Sequence, residues 1–340
     1  MLGSFLAFLS AVTFAFNNAS LRRGVLTGSI TQAMAITVPI GFPMFLAVVL
    51  VGSAFGLVAS FPSAAIPWMA LVGVLHFIGG RYCNYRSTRA IGANLSAPII
   101  QLSLVVSLVL AVLLLGEQLT PLRILGIVLL VLGPMLTGRG DKGDKNGNGA
   151  NGANGGANGA AAAQPRPVFK PSYAEGYTFG LLSACAYGTT PVIVRSALMT
   201  TGSGGSFVGG LIAYGAATAV VGLLLLRPGS FTHVLSIKRE TIRWFAYSGI
   251  FVCLSQMFVY MAYSLAPVSV VSPILQLQLL FRVYFARLLN PHHEVFGSGM
   301  MLGTVLSLIG AVMLSLSTEF LLSLVHLPDG LAALARWHWP

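Results

Sequence analysis

Residues 79–133 read GGRYCNYRSTRAIGANLSAPIIQLSLVVSLVLAVLLLGEQLTPLRILGIVLLVLG, and residues 254–310 read LSQMFVYMAYSLAPVSVVSPILQLQLLFRVYFARLLNPHHEVFGSGMMLGTVLSLIG. The two stretches share prolines, glutamines, acids and glycines at corresponding positions. The matches are Pro98 with Pro273, Gln101 with Gln276, Glu117 with Glu294, Gly126 with Gly303 and Gly133 with Gly310. Near the start of each half, Ser10, Ala11 and Arg22 match Ser183, Ala184 and Arg195. A repeated apolar unit is typical of a carrier whose halves move around a shared site.

The composition is that of a membrane protein. The chain is 56% hydrophobic and only 8% charged, whereas a soluble domain carries roughly 25% charged residues. Apolar stretches of about 20 residues, the length that crosses a bilayer, recur in both halves. They predict ten helical spans, because hydrocarbon offers no partner to an open strand edge. The predicted spans are about 2–21, 30–52, 67–87, 91–115, 121–137, 175–198, 206–226, 242–264, 267–288 and 296–318.

A polar segment separates the halves. Residues 138–172, GRGDKGDKNGNGANGANGGANGAAAAQPRPVFKPS, contain too little apolar surface to fold and are predicted to be a flexible linker, called the tether below. Residues 1–137 and 173–318 form the two repeats, and 319–340 are predicted to be an interfacial tail. Because each repeat has an odd number of spans, the second is inverted relative to the first. The predicted fold class is an all-α membrane protein with ten transmembrane helices in two inverted five-helix repeats.

Several motifs resemble one transporter family. LGEQLTPLRILGIVLLVLG at 115–133 resembles the closing signature of the EamA-type module of the drug/metabolite transporter superfamily, and IGANLSAPI at 91–99 resembles the start of its fourth helix. In the second half, 265–290 and 303–314 are similar to the same places, although LNPHHE there replaces LGE. The resemblance implies a ten-helix secondary carrier with a central cavity between two pseudo-symmetric halves.

Polar residues inside the predicted spans indicate where that cavity lies, since such groups usually face protein or water. In the third span, Arg81, Asn84, Tyr85 and Thr88 fall at offsets of three, four and seven, hence on one helical face. The eighth and first spans have similar polar faces, and each matched glutamine follows a span proline by three residues. The candidate substrate-binding residues are Arg81, Asn84, Tyr85, Gln101, Gln276, Gln256, Tyr260, Asn17 and Arg282.

Several of these polar residues have an alternative interpretation. Arg81 is placed either in the cavity or nearer the interface, where its head group reaches lipid headgroups. Asn84 and Asn17 are also interpreted as hydrogen-bonding between helices, and the paired prolines as packing kinks. His76 is interpreted as a packed or hydrogen-bonded span residue. His292 and His293 stand in a loop without a further ligand set, so no metal is predicted.

The distribution of charge bears on the substrate. No Asp or Glu lies at the middle of a predicted span, so proton coupling through a buried acid is not supported. A cavity with Arg81, Arg282 and several amides favours an anion or the carboxylate of a zwitterion. No cofactor is expected. No Ser/His pair, paired aspartates or HExxH motif points to an enzyme.

The net charge of +11 is interpreted as a sign of how the chain is oriented in the membrane, and not as a sign of nucleic-acid binding. Most basic residues fall on the side of the tether, which the positive-inside rule places in the cytoplasm with both termini outside. The family resemblance implies the opposite orientation.

The sequence therefore predicts a secondary carrier that moves a small anionic or zwitterionic metabolite, such as an amino acid or organic acid, by alternating access. The expected location is a bacterial inner membrane, with the lipid bilayer and a small-molecule substrate as partners and a monomer or homodimer as the assembly. The alternative is a non-transport membrane protein, such as a flippase partner or an assembly subunit. These functions differ in whether the polar faces meet in one cavity or face outward.

Overall fold

The computed structural model describes residues 2–51, 58–59, 61–115, 120–143, 170–198, 202–265, 271 and 274–315. All regular secondary structure in these ranges is helical. The first half contains α1 Leu2–Thr27, α2 Ile30–Thr37, α3 Gly41–Val51, α4 Ala65–Val72, a π-helix Gly73–Gly80, α5 Arg81–Gln101, α6 Ser103–Leu115 and α7 Pro121–Gly143. The second contains α8 Tyr173–Leu198, α9 Gly202–Leu225, α10 Ser230–Leu235, α11 Arg239–Leu265, α12 Gln278–Leu289 and α13 Ser298–Ser315.

Five helical stretches are long and apolar enough to cross a bilayer, and two shorter helices are also apolar. The five are Leu2–Val25, Ile30–Val51, Ala65–Leu114, Phe207–Leu225 and Arg239–Val259. The stretch Ala65–Leu114 holds two predicted spans, because Gly92, with φ 86°, interrupts the helix between them with a kink. The all-α membrane fold predicted from the sequence is confirmed.

Helix contacts follow the repeat. Helix α1 packs on α11 and α12, and its counterpart α8 packs on α5 and α6. Helix α3 packs on its counterpart α9, and α7 packs on its counterpart α13. Corresponding elements thus make corresponding contacts, as a pseudo-twofold axis requires.

The glycines that match between the repeats meet where α7 packs on α13. A Cβ added at Gly126 would lie 3.0 Å from the Gly310 carbonyl oxygen, and one added at Gly133 would lie 2.8 Å from that of Gly303. Gly126 corresponds to Gly303, and Gly133 to Gly310, so each contact is the symmetry mate of the other. The small residues let the backbones of α7 and α13 approach closely.

Several helix boundaries differ from the predictions. The predicted second span is broken at 38–40, where Pro39 has no N–H to continue the helix. Gly92 alone joins the third and fourth spans, with no loop between them. Helix α7 continues to Gly143, past the predicted end at 137, because backbone hydrogen bonding propagates beyond the apolar pattern. The tether from 144 to 169 and the tail 319–340 lie outside the described residues.

Candidate functional site

A cavity of about 240 Å³ lies between the two halves. It is lined by α1, the π-helix, α5, α8, α11 and the start of α12. Six of the predicted site residues line it, namely Asn17, Arg81, Asn84, Tyr85, Gln101 and Gln256. The polar faces of the first, third and eighth spans therefore meet in one space.

Arg81 is the cation of this cavity. It is only 4% exposed, so it does not reach the headgroups. Its guanidinium donates to the Thr37 carbonyl oxygen at 3.2 Å and to the Tyr214 hydroxyl at 3.1 Å, and lies 5.1 Å from the Phe77 ring centroid. Among the described residues, no carboxylate forms an ion pair with it. A buried cation held by neutral partners attracts an anion strongly, since little water screens it.

The amides and hydroxyls around Arg81 are held by bonds within the protein. The Tyr85 hydroxyl lies 2.8 Å from the Thr37 hydroxyl. Asn17 Oδ1 accepts from Ser248 at 2.6 Å, and Asn84 Oδ1 lies 3.3 Å from the Thr88 hydroxyl. Both asparagines thus make the contacts between or within helices that the alternative interpretation expected, while also lining the cavity.

The π-helix brings His76 into the same cavity. Side chains five residues apart share a face where hydrogen bonds run from i to i+5, so His76 and Arg81 both line the space. The His76 Nδ1 atom lies 3.3 Å from the Thr190 hydroxyl, and its ring lies 4.5 Å from that of Tyr187. In an ordinary α-helix His76 and Arg81 would lie on different faces, so the sequence did not identify His76 as a site residue.

The matched glutamines join the two repeats. The Gln101 amide donates directly to the Gln276 side-chain oxygen. The backbone forms a tight turn at each, with Leu102 N–H bonded to the Ile99 carbonyl and Leu277 N–H to that of Ile274, both at 3.1 Å. Each turn comes shortly after a proline of the sequence, as a proline kink would (Pro273 itself lies outside the described residues). Of the two, Gln101 lines the cavity.

Arg282 lies beyond this pair. It is 6% exposed, donates to Asn18 Oδ1, and borders a space of about 30 Å³ that Asn84 and Gln101 also line. It therefore does not line the main cavity. Gln276 contacts the cavity residue Gln101 by a side-chain hydrogen bond. The side chain of Tyr260 lies outside the described part of the structure. The substrate-binding role of every one of these residues stays a prediction.

A buried network closes the end of the bundle that carries Gly92, the 290–297 loop and Ser172, called the tether face here. Arg22 donates to the carbonyl oxygens of Thr88 and Arg89, both at 2.8 Å, and to that of His293 at 2.6 Å. These bonds satisfy the carbonyls at the C-terminal end of a helix, where a positive charge is favourable.

Glu294 binds the other side of the same turn. Its carboxylate accepts from the backbone N–H of Ala93 at 2.7 Å and of Asn94 at 3.0 Å, and lies 3.5 Å from the Arg22 Nε atom. These amides begin the next helix, where a negative charge is favourable. Burial raises the pKa of the Glu294 carboxyl, and Arg22, the two amides and Arg282 oppose the shift.

The network depends on Gly92. With φ 86°, Gly92 lets two helices meet without a loop, and a Cβ there would lie 2.5 Å from the Glu294 carboxylate. Arg22 comes from the first half and Glu294 from the second, so the network holds the halves together at this face. Arg22 is 0% exposed, because its guanidinium is bonded to the carbonyl oxygens at the end of the adjoining helix.

Comparison with known proteins supports the resemblance seen in the sequence. Residues 1–139 match the model of the EamA-like transporter family. No curated protein matches the chain. A solved structure titled "Crystal structure of protein" is 16% identical, with 92% of this chain and 94% of that chain covered at a TM-score of 0.47. A likeness of that degree says nothing of function.

Proposed function

We propose, from the membership of residues 1–139 in the EamA-like transporter family, that the chain is a secondary carrier for a small anionic or zwitterionic metabolite in a bacterial inner membrane. Organic acids and amino acids are the substrate classes that fit. One observation carries the charge preference, namely that the buried Arg81 lines the cavity between the halves without a carboxylate partner among the described residues.

The size and chemistry of the cavity support this class. A space of about 240 Å³ suits a small metabolite. Arg81 supplies the fork of donors that matches a carboxylate. The amides of Asn17, Gln101 and Gln256 offer both donors and acceptors to the rest of such a substrate. A lipophilic cation would meet a positive charge and no compensating acid in the described lining.

The symmetry supports alternating access. The network of Arg22 and Glu294 closes the tether face in this conformation. In the sequence, Arg195 and Glu117 are the counterparts of this pair, and an inverted repeat predicts that they form the same bonds at the opposite face when the halves exchange conformations. Transport then consists of making one network while breaking the other, with the substrate held between.

The alternative function, an assembly or flippase partner, predicts polar faces that turn outward to another protein. The described polar side chains instead point into a shared interior cavity. The outward faces carry apolar residues such as Val109, Val128 and Leu280, each exposed by about two-fifths or more. This arrangement favours the carrier.

A ligand screen on purified protein tests the proposal. Ligands that bind the folded state raise its apparent melting temperature. We expect stabilisation by carboxylate-bearing metabolites, zwitterionic or anionic, and none by matched amines that lack the carboxylate. Stabilisation by organic cations alone would reject the proposed substrate class.

The glutamine pair gives a second prediction. Cysteines substituted for Gln101 and Gln276, in a background without Cys83, Cys185 and Cys253, should react with small polar thiol reagents, because the cavity is accessible during the cycle. A ligand found in the screen should slow both reactions.

Cysteines at Val109 and Leu280 serve as controls for this labelling, because both positions face outward into lipid, which polar reagents do not enter. If the two glutamine positions are as unreactive as these controls, the pair is a packing contact and the carrier proposal loses its support.

A third prediction concerns orientation. A reporter fused within residues 145–160 should read as cytoplasmic, because exposed basic residues gather at the tether face. They include Arg89, Lys170, Arg227, Lys238, Arg239 and Arg243. A reporter that is active only outside the cytoplasm would reverse the proposed orientation.

A further inference from the structure

A second, larger cavity opens at the tether face and takes no part in the proposed transport site. It measures about 520 Å³ and lies between the start of α2, the outer side of α5 and the start of the second half. Its charged lining consists of Arg86, Arg89, Lys170 and Glu175. Three cations and one carboxylate leave this pocket, called the basic pocket below, with an excess of positive charge.

The carboxylate is already engaged. Glu175 accepts from Arg86 Nε at 2.9 Å and from Arg86 Nη2 at 2.5 Å. Arg86 also stacks over the Phe179 ring, 4.1 Å from its centroid. The guanidinium of Arg86 is thereby held in place, because Glu175 pairs with its charge and the Phe179 ring packs against its planar face.

The other two cations have no such partner. Among the described residues, neither Arg89 nor Lys170 forms an ion pair, and both are exposed. Arg89 follows Arg86 by three residues, so both lie on one face of α5. The Ser172 N–H donates to the Ala90 carbonyl at 2.9 Å, which fixes the segment that bears Lys170 beside that face.

The lower rim of the basic pocket is aromatic. Tyr82 lines it, is 39% exposed, and lies about one turn before Arg86. Its ring meets that of Phe179 edge to face, at 6.3 Å between centroids. Exposed tyrosines next to basic residues mark the depth at which lipid headgroups lie. Basic pockets between membrane helices at this depth bind anionic headgroups.

We infer that the basic pocket binds the phosphate group of an anionic phospholipid, with Arg89 and Lys170 contacting the phosphate and the acyl chains lying against Tyr82. The inference is independent of the transported substrate, because no residue of the pocket lines the central cavity. It concerns how the protein is held in its membrane at the junction of the two halves.

Lipid retention tests this inference. The full chain is placed in nanodiscs of phosphatidylcholine mixed with phosphatidylglycerol, transferred to mild detergent, and its bound lipid counted by native mass spectrometry. We expect the wild type to retain phosphatidylglycerol in preference to phosphatidylcholine. The double variant Arg89→Gln, Lys170→Gln should lose that preference by about tenfold, from the loss of two basic contacts.

Matched controls separate the pocket from general surface charge. Arg227→Gln, Lys238→Gln removes two other exposed cations that do not line the pocket, and should retain phosphatidylglycerol as the wild type does. Equal loss in both double variants, or no loss in the first, overturns the inference. Inorganic phosphate in excess should not displace the lipid, because free phosphate lacks the acyl chains that lie against Tyr82. Displacement by phosphate alone would overturn the contact assigned to Tyr82 and show that the pocket holds a phosphate group only.

Discussion

Replacing Glu294 with glutamine is expected to open the tether face and to raise the labelling rate of a cysteine at Ala97 by about tenfold or more. Ala97 is 3% exposed and borders the small space beneath the network of Arg22 and Glu294. Polar reagents reach it from the tether face only when that network breaks. Labelling of the Ala97→Cys protein in oriented vesicles, with and without Glu294→Gln, measures the change.

The size of the effect follows from burial. Removing one partner of a buried ion pair costs about 3–5 kcal/mol, since the other charge is left uncompensated. In addition, the carboxylate of Glu294 accepts hydrogen bonds from the backbone N–H groups of Ala93 and Asn94. A glutamine side chain would turn its own NH₂ group toward one of these two donors, and that hydrogen bond would be lost. About 1.4 kcal/mol changes an equilibrium constant by a factor of ten. If half of the lost free energy destabilises the closed conformation relative to the open one, the ratio of open to closed protein therefore rises by about tenfold or more.

Two further variants keep this prediction falsifiable. Glu175→Gln removes a carboxylate from the same face, but its pair with Arg86 is 34% and 38% exposed, so labelling should change little. Arg22→Gln, Glu294→Gln removes both charges and should be more thermostable than Glu294→Gln alone, because no charge is left unpaired. A folded Glu294→Gln protein that labels at the original rate would show that the network is not the closure.

The duplicated sequence predicted the arrangement of helices because internal symmetry is visible in one chain. Gly126 and Gly133 are matched by Gly303 and Gly310, and these four residues form the symmetric contact between α7 and α13. The polar face of Arg81, Asn84 and Tyr85 likewise predicted a real cavity, because a regular offset of three and four residues keeps side chains on one side of a helix.

The sequence did not predict the roles of His76, Arg22 and Glu294. His76 shares a face with Arg81 only because the π-helix lengthens the hydrogen-bond step, and no local sequence pattern announces that change. Arg22 and Glu294 lie near span ends, where charges are ordinarily solvated. One signal in the sequence could have identified them, because each has a matching charged residue at the corresponding position of the other repeat. A charge that is merely solvated in a loop would not need to be repeated at the same position.

Replacing Arg81 with glutamine is expected to weaken binding of a carboxylate ligand by about 1.5–3 kcal/mol, the scale of a hydrogen bond to a charged group. The dissociation constant should then rise by about tenfold to a hundredfold. Arg81→Lys should restore only part of the affinity, because an ammonium group lacks the planar fork that matches a carboxylate. Titration of the purified variants with a carboxylate found in the ligand screen measures both changes.

Arg287→Gln is the matched control, since it removes an exposed arginine of α12 and should leave the dissociation constant unchanged. Arg81 also donates to Thr37 and Tyr214, so its loss disturbs the fold as well as the site. Charge selectivity separates these effects. A damaged cavity would bind all ligands less well, whereas loss of the anion-binding group should reduce the preference for carboxylates over their uncharged amides. If the glutamine variant keeps that preference, Arg81 is a structural residue and the selectivity of the carrier resides elsewhere in the cavity.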